Sequence, residues 1–269
     1  MCAEKISEIQ KISISMVYRL VKKFDAFGID GLKTHKPGRL FEPLNPKFYN
    51  LVIETWKENK CGSRKLYQIL KRDGFSVSQK KIQQVMDFEK LTKPCPKRRG
   101  QKSYKKYVWP LCNMLWHVDW SWCPRLEKWI IVYIDDCSRY IVGFGISDNA
   151  TTENSLFVLY EAISKHGIPY QLLNDRGTQF YANKRTKDEE AEHDFEKALI
   201  ELGIIQVKSR PHHPQTNGKN ERWFGIYKQE YDERFESFGK FVFWYNNKRL
   251  SEAISYKTPA EIYLAEVKL

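Results

Sequence analysis

The chain lacks any apolar run approaching the roughly 18 residues that a membrane span needs, so no membrane partner is expected. Its opening segment, Met1-Cys-Ala-Glu-Lys-Ile-Ser-Glu-Ile-Gln10, has neither the apolar stretch of a secretory signal nor the arginine-rich character of a transit peptide. A cytoplasmic address is the expectation. Six cysteines (Cys2, Cys61, Cys95, Cys112, Cys123, Cys137) include no C-x-x-C pair, and the six histidines fall mostly elsewhere. That scatter offers neither zinc-ligand spacing nor a disulfide framework. Only His212 and His213 adjoin, on a loop without nearby cysteines.

What is abundant is positive charge, and it is unevenly placed. Residues 1–110 hold 25 Lys+Arg against 10 Asp+Glu, a balance of +15, while residues 111–269 hold 20 against 23, a balance of −3. A basic stripe of this kind attracts nucleic acid by releasing condensed counterions, although a solvated surface or acidic lipids would also fit. At 269 residues, two or three domains are expected.

Within the basic part, Val17, Leu20, Val21 and Phe24 recur at helical spacing, with Ser13 or Ser15 as N-cap and Gly28 as stop. Ile6, Ile9 and the turn at Ile12-Ser13 suit the preceding helix of a helix-turn-helix, a unit that normally has a further helix upstream. Three more helices are legible between about residues 46 and 90. Ser63 and Ser78 sit where N-caps belong and Gly74 where a helix ends, with Ile82, Val85 and Met86 as an inner stripe opposite Lys80, Lys81 and Gln84. This segment reads as a second helix-turn-helix or as a plain helical bundle. Residues 93–106 combine two prolines, a glycine and a dense run of lysines and arginines, an extended basic linker rather than a core.

From residue 111 the period changes to two. Trp116, Val118, Trp120 and Trp122 alternate with His117, Asp119 and Ser121, so Asp119 faces away from four large apolar groups. Strands over Trp129–Ile134 and Tyr140–Ile146 form a hairpin; a helix over Asn154–Ser164 and a short strand over Tyr170–Leu173 follow. Three strands and then alternating helices and strands argue for a mixed α/β sheet.

Asp175 comes directly after a strand and before Gly177, where a side chain emerges at a sheet end. Glu221 follows the turn Pro211-His-His-Pro-Gln-Thr-Asn-Gly218 in a helix expected from Gly218 to about Phe235. On a helical wheel Glu221, Gly225 and Lys228 share one stripe, and Trp223, Ile226, Tyr227 and Tyr231 occupy the other side. Phosphodiester chemistry can use such acids: two Mg²⁺ ions about 3.5–4 Å apart activate the attacking oxygen and stabilise the leaving one, and need several carboxylates to hold them. Taken singly, a strand-end Asp is usually a turn residue and an exposed helical Glu is usually just solvated.

Four segments change that balance: Trp116-His-Val-Asp-Trp120, Tyr133-Ile-Asp-Asp-Cys-Ser-Arg139, Gly167-Ile-Pro169 through Asn174-Asp-Arg-Gly-Thr-Gln-Phe180, and Ser209-Arg-Pro-His-His-Pro-Gln-Thr-Asn-Gly-Lys-Asn-Glu-Arg222. In content and order they resemble the signature blocks of insertion-sequence transposases of the retroviral-integrase-like DDE superfamily. Tyr245-Asn-Asn-Lys-Arg249 and Lys257-Thr-Pro-Ala-Glu261 resemble that family's closing motif. The resemblance implies a ribonuclease H-like mixed-sheet catalytic domain preceded by small all-α helix-turn-helix domains. The parts would be a first helix-turn-helix over residues 1–40, a second over 41–92, a basic linker over 93–110, the catalytic core over 111–235 and a C-terminal helical tail over 236–269.

Carried over position by position, Asp119, Asp175 and Glu221 match the three metal-binding catalytic acids, for Mg²⁺ with Mn²⁺ as substitute, as a pair of ions. Lys228 matches the basic residue that contacts DNA. Lys219 and Arg222 beside it, Arg19, Lys80, Lys81 and Gln84 on the helical units, and Lys97, Arg98 and Arg99 in the linker are the further DNA-contact candidates. Asp135 and Asp136 belong to a block that is structural in the family and take no catalytic role. The resemblance further implies double-stranded DNA as partner, at least a dimer on it, and a cytoplasmic, nucleoid-associated protein that cuts and joins DNA. An inactive or repurposed relative that only binds DNA is the alternative. Two departures stand out: 45 residues separate Asp175 from Glu221, more than the family's usual spacing, and Arg249-Leu-Ser replaces the family's Arg-Pro-His, which bears on docking of the tail.

Overall fold

A computed structural model of the chain describes residues 2–33, 44–92, 108–181, 193–209 and 214–267, without the side chains of 214–217 and 267. Lys97, Arg98 and Arg99 lie outside the described residues. The chain divides into two compact units, Met1–Leu44 and Asn45–Leu269.

The first unit contains α1 (Ala3–Gln10) and α2 (Ile14–Phe27), followed by a short 3-10 turn over Gly28–Leu32. Ser13 caps α2 as its spacing predicts, its hydroxyl accepting the Met16 N–H at 3.3 Å, and Gly28 ends the helix with φ 60°. The apolar stripe is only partly inside. Val17 is buried, whereas Val21 and Phe24 are each 48% exposed, because two short helices offer too little surface to cover it.

The second unit starts with α3 (Pro46–Asn59), α4 (Ser63–Arg72) and α5 (Gln79–Phe88), which meet around Val52, Leu66, Leu70, Ile82, Val85 and Met86. Ser63 is not the cap its position suggests. Gly62 takes that place, and the buried Ser63 hydroxyl donates to Gln83 Oε1 at 2.6 Å, tying α4 to α5. Lys80, Lys81 and Gln84 point outward.

The core sheet has five strands: β1 (Leu115–Cys123), β2 (Lys128–Asp135), β3 (Ile141–Ser147), β4 (Gln171–Asn174) and β5 (Ile205–Lys208), in spatial order β3-β2-β1-β4-β5. The first three are antiparallel; β4 and β5 run parallel to β1. That mixed arrangement is the ribonuclease H-like one. The alternation in β1 sorts the two faces. Trp116, Val118 and Trp120 join Ile131, Tyr133, Leu172, α6 (Thr152–His166), α7 (Asp194–Glu201) and Tyr263 of α10 (Pro259–Val267) in one core. On the other face Ile130, Val132 and Ile134 meet the aromatics of α8 (Pro214–Glu230) and α9 (Phe238–Asn247). Each fully buried large side chain contributes roughly 1.5–3 kcal/mol, so these two layers dominate stability. Trp122 is the exception to the expected pattern: at the outer end of β1 it is 43% exposed and packs edge-on against Trp129. Gly143 and Gly145 are what let α6 lie close on β3, since a Cβ at either would come within 2.8 Å and 2.5 Å of Ala162 and Val158 respectively.

The C-terminal tail docks despite its altered motif. Arg249 makes a two-pronged ion pair with Glu230 (2.5 and 2.8 Å), Leu250 is buried, and Tyr263 stacks on Tyr140 at 4.6 Å. Thr258 and Glu261 cap α10 reciprocally, the Thr258 N–H donating to Glu261 and the Glu261 N–H to the Thr258 hydroxyl. Glu261 also takes both Arg72 nitrogens at 3.0 Å, while Lys60 pairs with Asp232 at 2.7 Å and Arg234 donates to the Glu58 carbonyl. Three polar contacts thus fasten the α3–α5 bundle to the core. Among the described residues no helix is long and apolar enough to cross a membrane.

Candidate active site

The parallel pairing of β1 with β4 ends at His117 opposite Leu173. Two residues beyond that last pair stand Asp119, within β1, and Asp175, in the turn directly after β4, so each of the two neighbouring chain segments carries an acid. Asp119 lies on the α8 face of the sheet, opposite Val132 of β2, and its Oδ1 accepts the Trp120 N–H at 2.8 Å. Asp175 closes β4 in a tight turn in which its Oδ1 accepts the Gly177 N–H at 2.9 Å. Behind that turn the buried Asn174 donates to the Asp175 carbonyl at 2.6 Å and accepts from Gln206 at 3.1 Å. Both strand acids are partly exposed.

Glu221 rides on α8, the helix that covers β1. Its neighbours sort much as the wheel predicts: Trp223, Tyr227 and Tyr231 are buried against the sheet, Phe224 joins them, Ile226 is half-buried, and Glu221, Arg222 and Lys228 are exposed. Tyr227 donates to the Trp122 carbonyl at 2.9 Å, fixing the helix along β1. A Cβ at Gly225 would meet nothing within 4 Å, so the helix surface between Glu221 and Lys228 is open. The bounds of α8 differ from expectation. It begins at Pro214, inside the segment whose composition reads as a turn, because proline is tolerated in a helix's first turn. It ends at Glu230, and Asp232 then folds the chain back by accepting from the Arg234 N–H and side chain.

The three acids do not converge to within 4.8 Å of one another; among the described residues a single group of His, Cys, Asp and Glu donors does, and it lies elsewhere. The Glu221 side chain is exposed on α8.

A network that the sequence did not announce braces these elements. Asp136 is 1% exposed; its Oδ1 meets His117 Nε2 at 2.6 Å and the Lys219 ammonium, and its Oδ2 accepts the Trp109 N–H at 2.8 Å. His117 precedes Asp119 by two residues and Lys219 precedes Glu221 by two. One buried carboxylate therefore grips both β1 and α8 just upstream of their acids. Burial alone would raise the Asp136 carboxyl, but the hydrogen bonds from His117, Lys219 and Trp109 outweigh it and hold it well below the usual range. Burial pushes His117 down, with the Asp136 carboxylate at its Nε2 opposing. Lys219 is likewise pushed down, by burial and then by Arg139, with Asp136 opposing. Lys219, a phosphate-contact candidate by sequence, thus turns inward. Asp135, the other acid of this turn, is fully buried, accepting from Asn113 N–H, Ser138 N–H and the Ser138 hydroxyl at 2.6–2.8 Å. The signal for the network was the alternation itself, which sets His117 on the same face as Asp119.

The chain is similar to several known proteins. Residues 112–214 match the family described as "Integrase core domain". Over 94% of its length the chain is 28% identical to the transposase for transposon Tn552 of Staphylococcus aureus, and it spans 56% of that protein. It is 24% identical to the transposase for insertion sequence element IS904 of Lactococcus lactis, over 74% of this chain and 73% of that one. Among solved structures, the HTLV-2 integrase catalytic core domain in complex with magnesium aligns at 19% identity over 57% of this chain and 98% of that one, with a TM-score of 0.45. The chain thus spans about half the length of its Tn552 relative.

Proposed function

We propose, from the match of residues 112–214 to the integrase core domain family, that this chain is a DNA transposase of the retroviral-integrase-like DDE superfamily, cutting the ends of its element and joining them to target DNA. The observation that supports this reading most is that Asp119 on β1 and Asp175 directly after the parallel neighbour β4 each lie two residues past the last paired positions, with the Glu221 helix packed on the Asp119 face. The donor set fits a hard divalent cation, since all three side chains offer carboxylate oxygens. Asp119, Asp175 and Glu221 would hold a pair of Mg²⁺ ions, or Mn²⁺ in their place. When bound, such a pair supplies activation of the attacking oxygen and stabilisation of the leaving one in phosphodiester transfer.

The remaining roles belong to the chain's own groups. Arg222 and Lys228, exposed on α8 around the open surface at Gly225, would hold phosphates beside the scissile bond. Lys80, Lys81 and Gln84 on α5 and Arg19 on α2 present exposed polar groups for the element's double-stranded ends, and Lys97, Arg98 and Arg99 would follow the backbone between. Joining two ends calls for at least two copies of the chain on DNA.

Strand transfer tests the reading: purified protein, end DNA, a plasmid target and Mg²⁺ or Mn²⁺, beside Asp175→Asn. Joined product from the parent chain that vanishes in the variant is the expected result. End binding without joining by either protein would overturn it in favour of a chain that only binds DNA.

A further inference from the structure

Cys112, Cys137 and Glu266 are far apart in sequence, yet their two sulfurs and a carboxylate oxygen all lie within 4.8 Å of one another. We propose that these three side chains form a binding site for a soft divalent cation of the Zn²⁺ class, separate from the three acids on β1, β4 and α8. Two thiolates with a carboxylate suit Zn²⁺ and disfavour Mg²⁺, and three protein ligands leave a fourth tetrahedral position for water. No local spacing could have revealed it, because one ligand precedes β1, one sits in the β2–β3 turn and one is on the last turn of α10.

Each ligand stands on a fixed support, which separates a built site from a chance encounter. Beside Cys112, Asn113 holds a left-handed backbone (φ 61°), donates its N–H to Asp135 and its amide to the His166 carbonyl, and accepts from Trp116 and Tyr263 at 2.9 and 2.8 Å. Cys137 lies between Asp136 and Ser138, both buried and hydrogen-bonded to the sheet end. Glu266 is oriented directly, its Oε2 accepting the Cys112 N–H at 2.7 Å, while Tyr263 one turn earlier anchors α10 on Tyr140. The three ligands are half-buried, open enough for a cation to enter.

The electrostatics favour a cation there. The Asp135 and Glu266 carboxylates beside Cys112 add negative charge that suits a cation, although with burial they also push the thiol up, so the proton must be displaced on binding. Such a cluster concentrates negative charge once the thiols ionise, and a divalent cation offsets it. On binding, each thiol releases one proton and each sulfur donates an electron pair, so two protons leave and nothing is oxidised; affinity therefore rises with pH. The bound ion would staple α10 to the entrance of β1.

Cobalt(II) serves as the probe, because thiolate-to-cobalt charge-transfer absorption reports sulfur ligation and is silent for carboxylate-only sites. The full chain, stripped with a chelator under reducing conditions, is expected to develop these bands at one equivalent and lose them when Zn²⁺ is added. Cys112→Ser and Cys137→Ser should abolish them. Glu266→Gln, which keeps the shape of the side chain, should weaken cobalt binding by at least about tenfold with the circular dichroism unchanged. Absence of the bands in the reduced parent chain, their persistence in both cysteine variants, or a Cys112–Cys137 disulfide in protein purified under reducing conditions would overturn the proposal.

Discussion

Two pairs of aspartates in the same sheet behave in opposite ways. Asp135 and Asp136, at the end of β2, are 0% and 1% exposed with their oxygens met by protein donors. Asp119, on the α8 face of β1, and Asp175, directly after β4, are partly exposed. Residue type does not separate the pairs; accessibility does. A carboxylate surrounded by hydrogen-bond donors ties the chain together, and one left near the surface can serve a ligand. The comparison breaks most sharply at Asp175. Asp175→Asn is expected to reduce strand transfer at least about 10²-fold, yet to leave the urea unfolding midpoint within about 0.5 kcal/mol of the parent's stability. A large loss of stability would put Asp175 with the structural pair.

Asp136→Asn is the converse substitution. It keeps the shape but removes the charge that faces the partly buried Lys219 ammonium. Breaking a buried pair from one side costs about 3 kcal/mol, read as a lower denaturation midpoint. Because the same carboxylate braces β1 through His117, the loss should exceed that from Lys219→Met, which removes the ammonium along with its need for a partner. Equal losses would mean that the His117 contact contributes nothing.

Much of this contrast is legible in the amino-acid order itself, and its limits follow from range. Period-two alternation locates β1 and puts Asp119 opposite the tryptophans, and helical period exposes the aromatic side of α8. Both depend only on neighbours along the chain. Local composition misplaces the start of α8, since Pro-Gln-Thr-Asn-Gly has turn chemistry but Pro214 fits a helix's first turn. The apolar rhythm through Tyr231 and Phe235 hides its end, where Asp232 reverses the chain. Lys219 reads as a surface cation because the partner that turns it inward, Asp136, is 83 residues away. The order of Asp119, Asp175 and Glu221 along the chain is visible too, but the separation of their side chains is not. Ser63 loses its capping role to a contact with Gln83, which sits 20 residues on and beyond the reach of any cap motif.

Asp232 sharpens the comparison at a smaller scale. Burial would raise its carboxyl, but hydrogen bonds from Arg234 and Lys60 prevail and lower it from 3.8 to about 2. Its stabilisation is therefore complete above about pH 4, where the unfolded carboxyl is ionised, and disappears as pH falls through 2. Since Lys60 belongs to the α3–α5 bundle, Asp232→Asn should loosen that bundle from the core by on the order of 1 kcal/mol at pH 7, the partial exposure of the pair limiting the effect. Thermal unfolding of variant and parent should converge as pH approaches 2. A constant difference across that range would mean that the carboxylate charge plays no part.

The finest distinction lies along α8, where Lys219 and Lys228 are both lysines and face different ways. Lys219 is held by a buried carboxylate, and releasing it to meet a phosphate would strand Asp136; Lys228 is exposed and has no such cost. Counterion release then separates them, since each lysine that neutralises a phosphate adds about 0.9 to the slope of log affinity against log salt. Lys228→Ala should lower that slope by about one on end DNA while leaving unfolding unchanged. Lys219→Ala should leave the slope alone and lower the unfolding midpoint. A reversal of the two results would mean that the Asp136 contact opens when DNA arrives, turning the brace between β1 and α8 into a contact that DNA replaces.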